Sequence, residues 1–254
     1  MALESSLRAR LEKKDILLMT HIVLGYPSFE DSFHIIETMV EAGVDLMELQ
    51  VPFSEPIADG PVILRANQRA LEGGASVQEC LELAEKASTT FDIPFLIMTY
   101  YNIVFQYGTE KFPSTMAKAG LKGAIIPDLP PEESHSYLKA MGSEGLDPIL
   151  IFSPTTPLDR MKYLARFAGG FVYCVARKGV TGQATDFSDD LSRYLARCRT
   201  ATSLPLAVGF GIKEKTDIDF LKGKADIAVI GTQTIRMMEE KGVESIGVFI
   251  RSLL

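Results

Sequence analysis

Short apolar runs rich in β-branched residues recur about every 25 to 30 residues along this chain of 254 residues. Most are apolar throughout rather than alternating, which is typical of strands covered on both faces. Between them lie helical patterns, in which apolar residues fall three or four apart and a glycine often marks the end. The eight runs are residues 16–25, 44–51, 94–100, 123–128, 148–153, 170–176, 205–211 and 225–232.

Eight strands, each followed by a helix, predict a (β/α)8 TIM barrel in a chain of this length. We interpret residues 1–254 as a single domain, because no linker or low-complexity segment divides them. The charged amphipathic segment 1–15 predicts an extra N-terminal helix. The alternative is a doubly wound open sheet. Such a sheet usually has fewer strands, and the first strand–helix turn, residues 24–31, lacks the glycine pattern of a dinucleotide site.

Composition excludes several classes of function. A formal net charge of −7 argues against a non-specific grip on nucleic acid or an anionic membrane. No apolar run approaches the roughly 18 residues of a membrane span. The cysteines are few and widely spaced and the histidines are scattered, so we expect no disulfide framework and no metal site in a cytoplasmic protein. These residues are Cys80, Cys174, Cys198, His21, His34 and His135.

Glu48 lies in the second apolar run, VDLMELQV. Because side chains alternate along a strand, Leu46, Glu48 and Gln50 point in one direction. In one register that direction is the barrel interior, where a carboxylate is placed for proton transfer. In the other register Glu48 faces a helix and pairs with a lysine or arginine. Periodicity alone leaves both open.

Asp59 follows the same strand, on a loop stiffened by Pro52, Pro56 and Pro61. It either caps a helix that begins near Pro61, as aspartate before Gly-Pro commonly does, or belongs to a site shared with Glu48. Its nearness to Glu48 along a stiff loop favours the shared site.

The last two predicted strands end in glycines, in AVGFGI (207–212) and VIGTQTI (229–235). Glycine lets backbone N–H groups approach a ligand, and phosphates recur after the seventh and eighth strands of such barrels. Thr232 adds a hydroxyl donor or merely caps the last helix. Thr181 and Gly182 lie in the loop 176–190. The alternative is that the glycines only form tight turns.

Aromatic and branched side chains near other strand ends predict an apolar pocket for a flat ring. One of the neighbouring tyrosines Tyr100 and Tyr101 should point inward, unless both belong to the core. The other candidates for the pocket wall are Ile125, Ile151, Tyr173 and Phe210.

Several motifs together resemble the tryptophan synthase α-subunit family along nearly the whole chain. The most specific is ELQVPFSEPIADGP, which contains both carboxylates. The others are MTYYN (98–102), IIPDLPPEE (125–133), FVYCVARKGVTG (171–182), GFGI (209–212) and VIGT (229–232).

The resemblance implies a carbon–carbon lyase, which cleaves indole-3-glycerol phosphate to indole and glyceraldehyde 3-phosphate by a retro-aldol reaction. No metal or cofactor is expected in this chain. Glu48 would be the acid–base group, Asp59 would meet the indole N–H, and Thr181 would touch Asp59 when its loop closes. The phosphate would be bound by Gly182, Gly211, Gly231 and Thr232. The ring would be surrounded by Tyr100, Ile125, Ile151, Tyr173 and Phe210.

The resemblance also implies a partner. Family members work in an α2β2 complex of tryptophan biosynthesis, in which a β subunit with pyridoxal phosphate condenses indole with serine. The loop 52–61 would contact that subunit.

The sequence departs from the family pattern near the expected site. Gln50 replaces the usual glycine, Glu55 an aspartate, His21 a common aromatic residue and Thr232 a serine. A long glutamine beside Glu48 would crowd the substrate. Two interpretations follow: a working lyase, or a weakened lyase that mainly activates the β subunit allosterically. A third is another indole-phosphate barrel of the same pathway, against which the loop PFSEPIADGP argues.

Overall fold

The computed structural model describes residues 2–176, 189–209 and 211–254, and within them eight parallel strands close into a barrel. Each strand pairs with the next along the chain, and the last pairs with the first. The predicted (β/α)8 architecture is confirmed, and the open-sheet alternative is wrong. The strands are β1 (Leu17–Val23), β2 (Leu46–Gln50), β3 (Phe95–Met98), β4 (Gly123–Ile125), β5 (Asp147–Phe152), β6 (Val172–Val175), β7 (Leu206–Gly209) and β8 (Ile227–Ile230).

Helices follow the strands and cover the outside of the barrel. A 3-10 turn, Pro131–Glu133, precedes α7. The described α-helices are α1 (Leu3–Leu11), α2 (Phe29–Glu41), α3 (Pro61–Glu72), α4 (Val77–Thr90), α5 (Tyr101–Tyr107), α6 (Lys111–Lys118), α7 (His135–Ser143), α8 (Leu158–Ala165), α9 (Asp189–Ala201), α10 (Lys215–Leu221), α11 (Thr232–Lys241) and α12 (Glu244–Leu253). None of these described helices is both long and apolar enough to span a membrane.

Two separate groups of buried side chains show which way each strand faces. Leu46 belongs to the cluster inside the barrel, whereas its neighbours Met47 and Leu49 belong to the cluster between sheet and helices. Alternation along β2 therefore directs Glu48 and Gln50 to the interior. This answers the register question in favour of the interior.

The expected N-terminal helix closes the lower end of the barrel, where the strands begin. Leu3 and Leu7 of α1 are buried in the same interior cluster as Leu17 and Phe171. Contacts confirm the position at the lower end, since a methyl group at Gly170, just before β6, would lie 2.6 Å from Leu3. The functional cavity must therefore lie at the opposite end, as in other barrels of this kind.

Candidate active site

A cavity of about 150 Å³ lies at the C-terminal end of the barrel. It combines charged side chains with an apolar wall and with glycine-rich backbone, which suits a ligand that has an apolar ring and a polar tail. The predicted site residues that line it are Glu48, Asp59, Ile125, Ile151, Tyr173, Gly211, Gly231 and Thr232. Thr181, Gly182 and Phe210 lie outside the described residues.

Glu48 meets a histidine from the neighbouring strand. The parallel register places His21 of β1 opposite Glu48 of β2. The Nδ1 atom of His21 lies 3.1 Å from Oε1 of Glu48, and both side chains are buried. Oε2 of Glu48 and Nε2 of His21 have no hydrogen-bond partner in the part of the chain that the structure describes. Each member of the pair therefore keeps one polar atom for a ligand.

The environment of His21 favours its charged form. Burial, the largest single effect, lowers the pKa of His21, but the charge and hydrogen bond of Glu48, with smaller contributions from Asp59 and Gln50, together outweigh it. The pKa of His21 consequently lies above its usual value. An imidazole of this kind holds its proton to a higher pH than an exposed one does.

Asp59 is held by two hydrogen bonds that fix its carboxylate. Nε2 of Gln50 donates to Oδ2 of Asp59 at 2.7 Å, and the hydroxyl of Tyr100 donates to the same oxygen at 3.2 Å. Burial, with a smaller contribution from Glu48, raises the pKa of Asp59 against the opposing effects of His21 and these donors. The helix does begin at Pro61, but its N-cap is Gly60 and no side chain caps it. Asp59 therefore serves the cavity and is no helix cap.

Tyr173 stands at the cavity wall close to β7. Burial, with the charges of Glu48 and Asp59, raises the pKa of its hydroxyl well above the usual value, so the hydroxyl stays protonated. A methyl group at Gly209 would lie 2.7 Å from the hydroxyl oxygen of Tyr173. The first glycine of GFGI therefore makes room for this ring, which differs from the role in ligand binding that the sequence suggested.

Three residues of the predicted phosphate site lie in the described part of the chain, and all three line the same cavity. They are Gly211, Gly231 and Thr232. Gly211 has a φ of +87°, a conformation that favours glycine, and it lines the cavity. Gly231 and Thr232 form the start of α11, so the positive end of this ten-residue helix opens into the cavity. The loops after β7 and β8 thus offer backbone donors at one cavity.

Sequence reasoning missed two cations at this cavity. Lys213 is exposed and Arg236 is half-buried, and neither forms an ion pair with a described residue. Their positions in the sequence could have predicted this. Arg236 lies one helical turn after Thr232, on the same face of α11, and Lys213 directly follows GFGI. The end of the cavity formed by the loops after β7 and β8 therefore carries positive charge beyond its backbone N–H groups.

Comparisons with known proteins agree over the whole length. The family model described as tryptophan synthase alpha chain matches residues 7–251. The chain belongs to the tryptophan synthase alpha chain family. It is 63% identical over 251 residues to the tryptophan synthase alpha chain of Desulforapulum autotrophicum and 60% identical to that of Syntrophotalea carbinolica, with 99% of each chain covered in both cases.

Solved structures agree with this membership. The chain superposes on a structure of Mycobacterium tuberculosis tryptophan synthase with a TM-score of 0.93 at 29% identity, covering 100% of this chain and 97% of the other. The tryptophan synthase alpha subunit of Legionella pneumophila gives a TM-score of 0.90, also at 29% identity, with the same coverage.

As a tryptophan synthase alpha chain, the protein is a lyase that cleaves indole-3-glycerol phosphate in tryptophan biosynthesis. This is the first of the two interpretations that the sequence suggested. The comparisons do not favour the second, a weakened lyase with a mainly allosteric role.

The departures from the family pattern have structural explanations in this alpha chain. Gln50 is buried and turns to Asp59, and it does not line the cavity. The expectation that it crowds the substrate is therefore wrong. Tyr100 likewise contacts Asp59 and stacks on Phe53 at 5.0 Å, and the cavity wall as described does not include it. Met98, two residues earlier at the end of β3, lines the cavity instead.

A metal-assisted reaction would need a cluster of ligands. Across the described ranges, no group of three or more histidine, cysteine or carboxylate side chains could hold a metal ion.

Proposed function

We propose that Glu48 is the acid–base group and Asp59 the electrostatic stabiliser in cleavage of indole-3-glycerol phosphate to indole and glyceraldehyde 3-phosphate. The observation that carries the proposal is the position of these two carboxylates at one largely apolar cavity. Glu48 comes from β2 and Asp59 from the loop that follows it. Both carboxylates thus lie at the cavity, and Oε2 of Glu48 has no other partner among the described residues.

The reaction requires a proton at C3 of the indole ring before the carbon–carbon bond breaks. Protonation there leaves a positive ring, and a carboxylate at the ring N–H stabilises that charge. The glycerol hydroxyl next to the bond then loses its proton, its O–H electrons form the new carbonyl, and the bond electrons return to the ring. Glu48 is assigned the proton transfers and Asp59 the ring N–H.

The phosphate is assigned to the loops after β7 and β8. Gly211, Gly231 and Thr232 supply donors, and Gly182 is proposed as a further donor from the sequence. The start of α11 favours an anion, and Lys213 and Arg236 add charge. The ring is assigned to Ile125, Ile151 and Tyr173, with Phe210 as a further wall residue, and to Tyr100 indirectly through Asp59. Thr181 is proposed to touch Asp59 in a closed loop.

The test is indole release by Glu48→Gln. Glutamine keeps the size and polarity of the side chain but cannot transfer the proton, so turnover should fall at least about 10²-fold, within the range for loss of a general acid–base group. The exposed Glu72→Gln on α3 is the matched control and should keep parental turnover. Parental turnover in Glu48→Gln would remove Glu48 from its role.

We further propose that the chain works with a pyridoxal-phosphate β subunit in an α2β2 complex, and that it holds no cofactor itself. Two large side chains are exposed near the C-terminal end of the barrel, Ile57 at 73% and Phe105 at 61%. Exposed apolar side chains close to an active site fit a protein contact. Ile57 and the acidic Glu55 lie in the loop 52–61, which the family resemblance assigned to this contact. A cytoplasmic location fits the three free, buried cysteines.

Ile57→Asp tests the contact. Mixing the parent chain with a β subunit should give a larger species in size-exclusion chromatography and a faster reaction of indole with serine. Ile57→Asp should weaken both effects because a charge must be desolvated in the contact. Val248→Asp, on α12 and also exposed at 64%, is the matched control. If the parent forms no larger species, the partner proposal fails.

A further inference from the structure

His21 is the part of the cavity that the assigned reaction leaves without a role. It is buried, it lines the cavity, and its Nδ1 lies 3.1 Å from Oε1 of Glu48. A buried histidine that faces apolar neighbours usually has both nitrogens satisfied. Here Nε2 has no partner among the described residues, nor does Oε2 of Glu48. The two side chains therefore contact each other through Nδ1 and Oε1, while Nε2 and Oε2 remain available to a ligand.

The charges that face His21 come from several elements. Glu48 contributes from β2 and Asp59 from the loop after it. Tyr173 of β6 lines the same cavity with a protonated hydroxyl, and Lys213 and Arg236 line it from the loop after β7 and from α11. The β8 side offers Gly231, whose added methyl would lie 3.5 Å from Cβ of His21 and which carries no charge. The charges that act on the pKa of His21 are negative, from Glu48 and Asp59.

We propose that His21 is a positioning residue that shares one proton with Glu48 and so keeps the proton-transfer group loaded at neutral pH. The inference rests on the proposed role of Glu48. A carboxyl group in water loses its proton near pH 4, so a lone glutamate would mostly begin the reaction without the proton that C3 needs. An imidazole beside it supplies a proton up to a higher pH, because the proton can pass across the 3.1 Å contact between Nδ1 and Oε1.

The proton balance of the pair closes over one turnover. The shared proton leaves through the carboxyl group of Glu48 to C3 of the ring. The proton of the glycerol hydroxyl then enters the pair as the carbon–carbon bond breaks, so the pair ends with the single proton with which it began. His21 itself touches neither carbon, and it acts by fixing Oε1 while Oε2 stays free for the substrate.

The first test is the pH profile of kcat/KM for His21→Asn. Asparagine can place an N–H near the position of Nδ1, so it keeps the hydrogen bond to Glu48, but it does not titrate. The exposed His34→Asn on α2 is the matched control. The substrate phosphate titrates with a pKa of about 6 in every variant, so only differences between the variants count.

If the pair shares a proton, the alkaline limb of the His21→Asn profile moves to lower pH by at least about one unit, and the loss of rate is largest above pH 7. The His34→Asn profile should coincide with that of the parent. A structural role would instead lower the rate by the same factor at every pH. An alkaline limb at the parental position in an active His21→Asn would overturn the proposal.

The second test needs no activity and remains informative if His21→Asn does not fold. NMR titration of labelled histidine in the full chain should give His21 a pKa above about 6.5, and Glu48→Gln should lower it by about one unit or more. His34 provides the internal reference. An unchanged His21 titration in Glu48→Gln would overturn the shared proton. Absence of indole release by the parent would instead count against the proposed function, and the titration would still decide the pairing.

Discussion

The two ends of the barrel differ in how completely their buried groups are packed and hydrogen-bonded, although the same eight strands form both. At the lower end, α1 inserts Leu3 and Leu7 into the interior, and Arg8 and Arg10 donate to the backbone carbonyls of Ser203 and Asp92. At the upper end, His21 and Glu48 each keep a buried polar atom without a partner in the described structure. One end is filled and hydrogen-bonded, and the other is left incomplete.

This difference shows where the molecule gains stability and where it gives some up. Burial of a leucine side chain contributes about 1.5–3 kcal/mol, whereas a buried polar atom without a partner costs about 1–3 kcal/mol. A ligand that satisfies such atoms recovers that cost on binding. Changes at the lower end should therefore act on unfolding, and changes at the upper end on turnover.

The largest expected effect is on stability, from Leu7→Ala at the lower end. Removing a fully buried leucine leaves a cavity, so the free energy of unfolding should fall by about 2–5 kcal/mol. Urea denaturation measures it. Leu11→Ala on the same helix, where the side chain is only partly buried, should lose clearly less. Since the site is at the other end, kcat of the folded fraction should not change. A large fall in kcat would show that the lower end also affects turnover.

Next in size is Gln50→Leu at the upper end. It removes the 2.7 Å hydrogen bond to Oδ2 of Asp59 and leaves only that of Tyr100. A hydrogen bond to a charged group contributes about 1.5–3 kcal/mol, so kcat/KM for indole release should fall at least about tenfold. Gln78→Leu, which changes an exposed glutamine on α4, should have no such effect. Unchanged kcat/KM would mean that Tyr100 alone positions Asp59.

A smaller effect is expected from Lys213→Met at the proposed phosphate end of the cavity. An exposed charge pair contributes about 0.2–1 kcal/mol, so KM should rise by a factor of about 2 to 5 while kcat stays constant. Added salt should shrink the difference, because it screens exposed charges. The exposed Lys118→Met on α6 is the control. A change in kcat rather than KM would place Lys213 in the reaction itself.

The smallest effect is one whose sign matters more than its size. The pKa of Asp59 is raised in the folded protein, chiefly by burial, so the folded state holds this proton more tightly than the unfolded state does. The contribution of Asp59 to stability is therefore present below its unfolded pKa and is lost as the pH rises through its folded pKa. Asp59→Asn should accordingly be more stable than the parent at pH 7, with a smaller advantage at pH 4, in urea denaturation. The opposite trend would show that the carboxylate stabilises the upper end.

The fold was predictable because the signal repeats. Seven of the eight apolar runs contain a whole strand, β5 begins one residue before its run at Asp147, and the segment before the first run forms α1. The direction of β2 was not predictable, because all five of its residues are buried. Periodicity needs a contrast between buried and exposed faces, and a strand covered on both sides offers none.

The sequence predicted those site residues whose position depends only on their place at the end of a strand or in the loop after it. Asp59, Gly211, Gly231 and Thr232 line the cavity as their positions after strands suggested. The contact of His21 with Glu48 depends on the register between β1 and β2, about which neither strand's sequence says anything. The position of Tyr100 depends on the turn where β3 leads into α5, where it is the N-cap. Contacts between elements are thus the part that periodicity misses.

Gly209 and Tyr173 are expected to covary in evolution. A methyl group at position 209 and a full phenol ring at position 173 claim the same space, since they would approach to 2.7 Å. A lineage that gains a side chain at 209 must first shrink or tilt the residue at 173, so either change alone is selected against. The two residues lie on the neighbouring strands β6 and β7. The absence of a Cβ atom at position 209 therefore limits which substitutions are accepted at position 173, and the ring at 173 limits those at 209.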